Sequence, residues 1–199
     1  MATNRKLPMK SFKSHLKEIS LSRVFRHFKN KDIPVAIITA FRDKKSSGEE
    51  YSYKENTQRN RVLAADIRNA KSYGFVYVDG HWQEKQEDGT KKDVSEDSIL
   101  IIGRENDNGK LKGLLKKWIK EYNQDAALFK EEGTTEIVFL EQSGKTDTIS
   151  NKFSLKELEV GYTTLRGRRG RSFSFTESHI PHNWLGRWRE MVLEERSNA

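Results

Sequence analysis

The sequence of 199 residues contains no cysteine and no long apolar run. The absence of cysteine excludes a disulfide framework and thiolate chemistry. No apolar stretch approaches the roughly 20 residues that a membrane-spanning helix needs, and none follows the basic first residues as the core of a signal peptide would. These absences predict a cytoplasmic protein that does not enter a membrane and is not secreted.

Familiar catalytic motifs are also lacking. The sequence has no glycine-rich phosphate loop and no Gly-x-Ser-x-Gly nucleophile turn. Its five histidines are scattered, and His179 and His182 flank Pro181, so they do not share a helix face. Zinc needs about four convergent ligands. We therefore predict no metal ion and no cofactor, and the sequence leaves open whether the protein is an enzyme.

Charge is distributed unevenly along the chain. Charged residues make up 33% of the sequence and hydrophobic residues 34%, which is polar for a globular protein. The net charge is +8, and residues 1–32 hold nine basic but only two acidic residues. The remainder is nearly neutral. We interpret residues 1–32 as a basic, amphipathic, helical arm and residues 33–199 as a single domain.

Hydrophobic periodicity predicts the elements of that domain. The apolar run Ile33–Phe41 is typical of a buried strand, and the spacing from Leu111 to Tyr122 predicts an amphipathic helix. The remaining predictions are a long exposed loop at 42–57, a helix at about 56–73, strands at 75–80, 98–103 and 172–175, a hairpin at 126–141, a helix at 154–165 that begins with a capping box, and a closing helix at Ile180–Glu195.

The order of these elements predicts the fold class. It matches a split β-α-β-β-α-β plan in its first six members. We therefore predict an α+β fold, a two-layer sandwich of a mixed sheet and helices, with additional helices at the C-terminus. A mixed sheet covered on both faces is the alternative, which the wholly apolar first strand favours.

The segment 165–173, called here the arginine loop, reads LRGRRGRSF. Arginine side chains suit phosphate because they donate paired hydrogen bonds, and an aromatic ring can stack on a base. The alternative is a solvated connector, or arginines that pair with carboxylates of the same domain. The residues predicted to contact nucleic acid are Arg166, Arg168, Arg169, Arg171 and Phe173.

A second candidate site lies at the start of the helix predicted at 56–73. Asn56, Arg59 and Asn60 are about one turn apart there, and a helix N-terminus beside an arginine suits an anion. The alternative is that Asn56 caps the helix and Arg59 is a surface charge. Glu84 and Glu96, at predicted strand ends, extend this candidate, because convergent carboxylates can bind magnesium in a nuclease.

Four stretches carry a resemblance to a known family: IITAF from Ile37, NTQRNRVLAADIR, YGFVYVDGHW and SEDSIL. Together they resemble a family of small bacterial and tailed-phage proteins of unknown function, and the resemblance implies no established activity. Met9–Glu18 is similar to the prohead-targeting peptide of internal head proteins of large tailed phages. The residues that fill the pattern of the first family are Thr39, Asn56, Arg59, Asn60, Gly74, Gly80, Trp82, Glu84, Glu96 and Ser98.

Two functional hypotheses follow from these observations. The first is a non-enzymatic tailed-phage protein of the host cytoplasm or the virion, which binds nucleic acid or an acidic protein through its basic arm and the arginine loop. The second is a small nucleotide-binding protein or enzyme, such as a metal-dependent nuclease. Its site would consist of Thr39, Asn56, Arg59, Asn60, Glu84 and Glu96.

Overall fold

The computed structural model describes residues 21–85, 91–150, 152–154, 161–166 and 172–176. The helices in this part of the chain are α1 (Leu21–Lys29), α2 (Tyr53–Asn69) and α3 (Lys110–Glu121). The strands are β1 (Val35–Ile38), β2 (Gly74–Lys85), β3 (Lys91–Ile102), β4 (Ala126–Lys130), β5 (Ile137–Glu141), β6 (Thr146–Ser150), β7 (Lys152–Ser154), β8 (Gly161–Leu165) and β9 (Ser172–Thr176). The helix predicted at Ile180–Glu195 and the peptide-like segment Met9–Glu18 lie outside the described residues.

The described strands form one antiparallel sheet. They pair in the order β6-β5-β4-β1-β3-β2-β8-β9-β7, and every pairing is antiparallel. The α+β class is thus confirmed, whereas the prediction of a mixed sheet is wrong. A helical crossover joins strands that run in the same direction. Here β1 and β2 do run in the same direction, but β3 lies between them, so no two neighbours are parallel.

A capping box fixes where α2 begins. Ser52 Oγ accepts a hydrogen bond from the Glu55 amide at 3.2 Å, and Glu55 Oε2 accepts one from the Ser52 amide at 2.8 Å. This reciprocal pair satisfies two amides that the first helical turn would leave unpaired. The helix therefore starts at Tyr53, three residues before the predicted start at Asn56.

The segment before α2 is largely exposed, as predicted for residues 42–57, but it is shorter than predicted because the helix starts at Tyr53, and it is folded into a turn. Lys44 and Glu50 form an isolated antiparallel bridge. The Tyr51 amide donates to the Asp43 carbonyl at 2.8 Å, and Gly48 allows the turn between them with a φ of 89°. Backbone pairing therefore connects the end of β1 to the start of α2 through an ordered hairpin.

One core cluster lies between the sheet and the two longer helices. It packs α2 and α3 against one face of the central strands, including Ala36 and Ile38 of β1. Trp118 of α3 belongs to this cluster and is 2% exposed, so it lies on the apolar face of the predicted amphipathic helix. This cluster fixes the position of α2 above β1 and β3.

A second core cluster covers the opposite face of the sheet. Val24 and Phe28 of α1 pack there with Val35 of β1 and with Leu165 and Phe173, the two ends of the arginine loop. The described part of the predicted arm is thus a packed element of the domain. This arrangement explains why β1 is apolar on both faces.

The helix predicted at 154–165 is wrong where the structure describes it. Ser154 ends the short strand β7, and residues 161–165 form β8, which pairs with β2. The residues Tyr-Thr-Thr within β8 favour a strand because they are aromatic or β-branched. None of the described helices is both long and apolar enough to cross a membrane.

Candidate functional site

Two aspartates and one arginine form a charged cluster on the face of the sheet that also carries α2. Asp79 of β2 is directly opposite Asp97 of β3 in the strand register. Arg166, immediately after β8, donates from Nε and Nη2 to Asp79 Oδ1 at 2.9 and 2.6 Å, and Nη2 also contacts Asp97 Oδ1. We call Asp79, Asp97 and Arg166 the Arg166 cluster. With both carboxylates ionised its net charge is −1.

The electrostatics of the cluster keep the arginine charged. Burial opposes that charge, but the hydrogen bond that Arg166 donates to Asp79 and the charges of Asp79 and Asp97 outweigh it and raise the pKa of Arg166. The Asp97 side chain is only 15% exposed. Because Arg166 contacts its Oδ1, the other oxygen, Oδ2, keeps lone pairs for a further donor. The cluster can therefore accept hydrogen bonds from a ligand.

Aromatic rings surround the Arg166 cluster. The guanidinium of Arg166 lies 5.6 Å from the centre of the Tyr77 ring. The Tyr53 hydroxyl is 3.5 Å from Asp97 Oδ2, and the Tyr53 ring meets the Phe41 ring edge-on, with centroids 5.8 Å apart. Carboxylates flanked by aromatic rings suit a ligand that carries both hydrogen-bond donors and a flat ring.

Thr39 and Asn60, two of the predicted site residues, hold the backbone of Asp97. Thr39 Oγ1 and Asn60 Nδ2 both donate to the Asp97 carbonyl, the former at 2.7 Å. Asn60 Oδ1 also accepts from the Ala40 amide at 2.7 Å. Asn60 therefore connects the end of β1 to β3, and it positions Asp97 through the backbone.

Asn56, the third predicted residue, holds the chain just after β1. Its amide oxygen accepts from the Arg42 amide at 3.0 Å, and its amide nitrogen donates to the Arg42 carbonyl at 2.9 Å. Asn56 thus mimics a strand partner for Arg42. Ser52 caps the helix, so the alternative in which Asn56 is the cap is wrong.

Arg59, the fourth predicted residue, donates hydrogen bonds to other groups of the protein. Nε donates to the Ala40 carbonyl at 2.7 Å and Nη2 to the Tyr122 carbonyl at 2.6 Å. Nη1 donates to the Tyr51 hydroxyl at 3.2 Å, and the guanidinium lies 4.7 Å from the centre of the Tyr51 ring. These contacts connect β1, α2 and the end of α3, and they leave Arg59 poorly suited to bind an anion.

The two glutamates of the prediction do not join these residues. Glu96 pairs with Gly80, and Glu84 pairs with Lys92. These pairs are four ladder positions apart, or about 13 Å along the strand. Glu96 also precedes Asp97 by one residue, so its side chain lies on the opposite face of β3. Of the described side chains, no three His, Asp or Glu lie close enough together to hold a metal ion.

The arginine loop differs from the prediction where it is described. Arg166 pairs with carboxylates of its own domain, as the alternative interpretation proposed. The Phe173 ring is fully buried, with its centroid 6.2 Å from that of Phe28, and so has no face to offer to a base. Arg168, Arg169 and Arg171 lie outside the described residues.

The site chosen from the sequence contained neither aspartate of the cluster. Asp79 interrupts the alternation of the FVYVDG strand, and a charged residue inside a strand was the available signal. Asp97 had no such signal, because its position depends on the register with β2. The aromatic neighbours Tyr53 and Tyr77 were also missed.

Comparison with protein families identifies one match. The model described as the S-Adenosylmethionine lyase family matches residues 36–176, which is most of the chain. No curated protein matches the sequence. Because lyases are enzymes, the match contradicts the predicted non-enzymatic virion- or nucleic-acid-binding protein, and that prediction is wrong. The alternative hypothesis of a small enzyme agrees better with the match.

Proposed function

Because this chain belongs to the S-adenosylmethionine lyase family, we propose that it cleaves S-adenosylmethionine without adding water, and that the substrate binds at the Arg166 cluster. The family match carries the proposal, and it spans Tyr77, Asp79, Asp97 and Arg166. The geometry adds a polar and aromatic site in which Thr39 and Asn60 hold the backbone of Asp97.

The chemistry of a sulfonium explains how little such an enzyme must supply. When a carbon–sulfur bond breaks, sulfur takes the bonding electrons and leaves as a neutral thioether, so the leaving group needs no proton. The carbon fragment is then completed without added water: either a neighbouring carbon gives its proton to a base and a double bond forms, or the substrate's own carboxylate bonds to the carbon that sulfur leaves and closes a ring. The protein's task is then to hold a reactive conformation and to exclude water.

Charge decides which part of the substrate the Arg166 cluster should hold. The substrate carries a sulfonium, an ammonium and a carboxylate, a net charge of about +1 that complements the −1 of the cluster. The sulfonium loses its charge in the transition state, so a carboxylate against sulfur would stabilise the ground state more and slow the reaction. The cluster is therefore better suited to a part of the substrate that does not react.

Each residue then has a defined role. Asp97 and Asp79 accept hydrogen bonds from the substrate, and Arg166 keeps the two carboxylates from repelling each other. Thr39 and Asn60 are positioning residues that act through the Asp97 carbonyl. The exposed ring of Tyr53 provides an aromatic surface for adenine.

Incubating the purified chain with S-adenosylmethionine in ¹⁸O-labelled water tests the proposal. We expect the substrate to disappear and a thioether to form, while the first-formed carbon fragment contains no ¹⁸O by mass spectrometry. Label in that first product would mean hydrolysis, and an unchanged substrate would mean that the protein is not a lyase of this compound.

Substitution of the aspartates tests the location of the site. Asp97→Asn and Asp79→Asn should each lower kcat/KM by about 10- to 100-fold, because each removes a charge-assisted hydrogen bond. Asp147→Asn is the matched control, because Asp147 is exposed on β6, away from the cluster. Equal activity of all three variants would place the substrate elsewhere.

A further inference from the structure

The hydroxyl of Thr57 is buried and has no hydrogen-bond partner in the described part of the chain. Buried hydroxyls are almost always hydrogen-bonded, so an unpaired one needs an explanation. Thr57 lies on α2, in the turn that follows the cap. A threonine inside a helix commonly donates to the carbonyl four residues earlier, but that hydrogen bond is not formed here.

The helix directs Thr57 toward the Arg166 cluster. Tyr53, one turn earlier, reaches Asp97 Oδ2, and Asn60, one turn later, reaches the Asp97 carbonyl. Residues three and four apart on a helix are neighbours on one face. Thr57 lies between these two contacts, so its side chain faces the same aspartate.

We propose that Thr57 Oγ1 and the Asp97 carboxylate bind the two ribose hydroxyls of S-adenosylmethionine. This inference rests on the proposed function and assigns a part of the substrate to the site. A hydroxyl both donates and accepts, whereas a carboxylate only accepts. The two adjacent ribose hydroxyls can donate hydrogen bonds to Asp97, and a ribose hydroxyl can also accept one from Thr57 Oγ1.

The ammonium group of the substrate fits this pair less well. An ammonium has three donors and no acceptor. It would satisfy Asp97 but would leave the Thr57 O–H without an acceptor in a buried place. Arg166 also already compensates one of the two carboxylate charges, which weakens the attraction for a second cation.

Tyr53 covers the subsite, which consists of Thr57 Oγ1 and the Asp97 carboxylate. Thr57 Oγ1 is inaccessible, so a ligand reaches it only when a neighbouring side chain moves. Helical side chains lean toward the preceding turn, so Thr57 points beneath Tyr53. The Tyr53 residue is 69% exposed and contacts Asp97 only at 3.5 Å, at the limit of a hydrogen bond. Its displacement therefore breaks few contacts.

The test compares Thr57→Val and Thr57→Ser for stability and for ligand binding. Valine matches the shape of threonine and removes the unpaired hydroxyl, so the unliganded Thr57→Val protein should melt at the same or a higher temperature. Its affinity for adenosine and for S-adenosylmethionine, measured by calorimetry, should fall about 3- to 10-fold. Thr57→Ser should keep the affinity. Gln58→Ala, exposed on the next position of α2, is the control that should change neither.

Ligand analogues decide the assignment to ribose. In the wild type, 2′-deoxyadenosine or 3′-deoxyadenosine should bind more weakly than adenosine, and in Thr57→Val one of these two losses should vanish. The inference would be overturned if the affinity losses from Thr57→Val and from each missing ribose hydroxyl simply added, or if Thr57→Val bound adenosine as tightly as the wild type. Adenosine binding does not require turnover. Coupling of Thr57 to a ribose hydroxyl without consumption of S-adenosylmethionine would therefore overturn only the proposed function, and turnover without that coupling would overturn only the subsite.

Discussion

Asp79 and Asp97 lie directly opposite each other on neighbouring antiparallel strands, and one guanidinium contacts both carboxylates. Like charges in this position repel and destabilise a sheet. Arg166, which follows Asp79 by 87 residues, converts the repulsive pair into a bridge across three strands. The same arrangement concentrates acceptors at one point of the surface, which is what the proposed substrate requires.

Arg166→Gln should therefore destabilise the protein by about 1 kcal/mol. The estimate is modest because the side chains are partly exposed and water screens their charges. Urea unfolding at low and high salt measures the effect, and the loss should shrink as salt rises. Arg61→Gln, at an exposed position of α2, is the control. A loss that stays constant with salt would mean that Arg166 acts by packing and not by charge.

Asn60→Ala should cost about 2 to 4 kcal/mol in the free energy of unfolding. The substitution leaves the buried Ala40 amide without its acceptor and removes one donor from the Asp97 carbonyl. Unsatisfied buried groups cost about 1 to 3 kcal/mol each. Asn69→Ala, at the exposed end of the same helix, should cost less than about 1 kcal/mol. Similar melts for the two variants would show that Asn60 does not hold these strands.

The elements that the sequence predicted well are those whose pattern is local. The apolar run of β1, the spacing of α3 and the hairpin of β4 and β5 are all present, because each depends on neighbours within a few residues. The prediction of a helix at 154–165 failed at β8 because a capping-box spacing is a local signal, whereas the conformation of β8 depends on a distant partner strand. β8 pairs with β2, some 80 residues earlier, and no local pattern reports that pairing.

The candidate site shows the same division. A polar helix start at Asn56 and Asn60 was visible in the sequence, but the partners that give these residues their roles, Ala40 and Arg42, are 14 to 20 residues away. Glu96 was chosen instead of its neighbour Asp97. A shift of one residue along a strand moves a side chain to the other face, and only the register with β2 tells which of the two belongs to the site.

Phe28→Ala tests whether α1 is part of the domain. Phe28 is 2% exposed and belongs to the second core cluster, so its replacement by alanine should lower the free energy of unfolding by about 3 to 5 kcal/mol. Phe25, on the same helix, is less buried and has the Lys29 ammonium 4.5 Å from its ring centre. Phe25→Ala should cost distinctly less in thermal or urea melts. Equal losses would contradict the packing of Phe28.

Lys130 provides a pH-dependent test of the same region. Its side chain is fully buried at the end of β4, and Nζ donates to the backbone carbonyls of Asn30, Ile33 and Thr134, at 2.8 Å to the first and 3.3 Å to the last. The ammonium thus connects the residues after α1 to the turn before β5. Burial lowers the pKa of Lys130 from 10.5 to about 8, although the charges of Asp32 and Glu132 act in the opposite direction.

The free energy of unfolding should therefore rise with pH between about 8 and 10.5 because of this group. Below that window Lys130 is charged in both states, and above it neutral in both; within it the unfolded chain binds more protons, which stabilises the folded state as pH increases. Lys130→Met lacks this contribution, so the stability of the wild type relative to the variant should grow by about 1 to 3 kcal/mol from pH 7 to pH 10. Lys120→Met, at an exposed position of α3, should show no such change. Parallel curves for wild type and Lys130→Met in urea melts at matched pH would contradict the lowered pKa and would mean that the carbonyl contacts offset the cost of burying the ammonium.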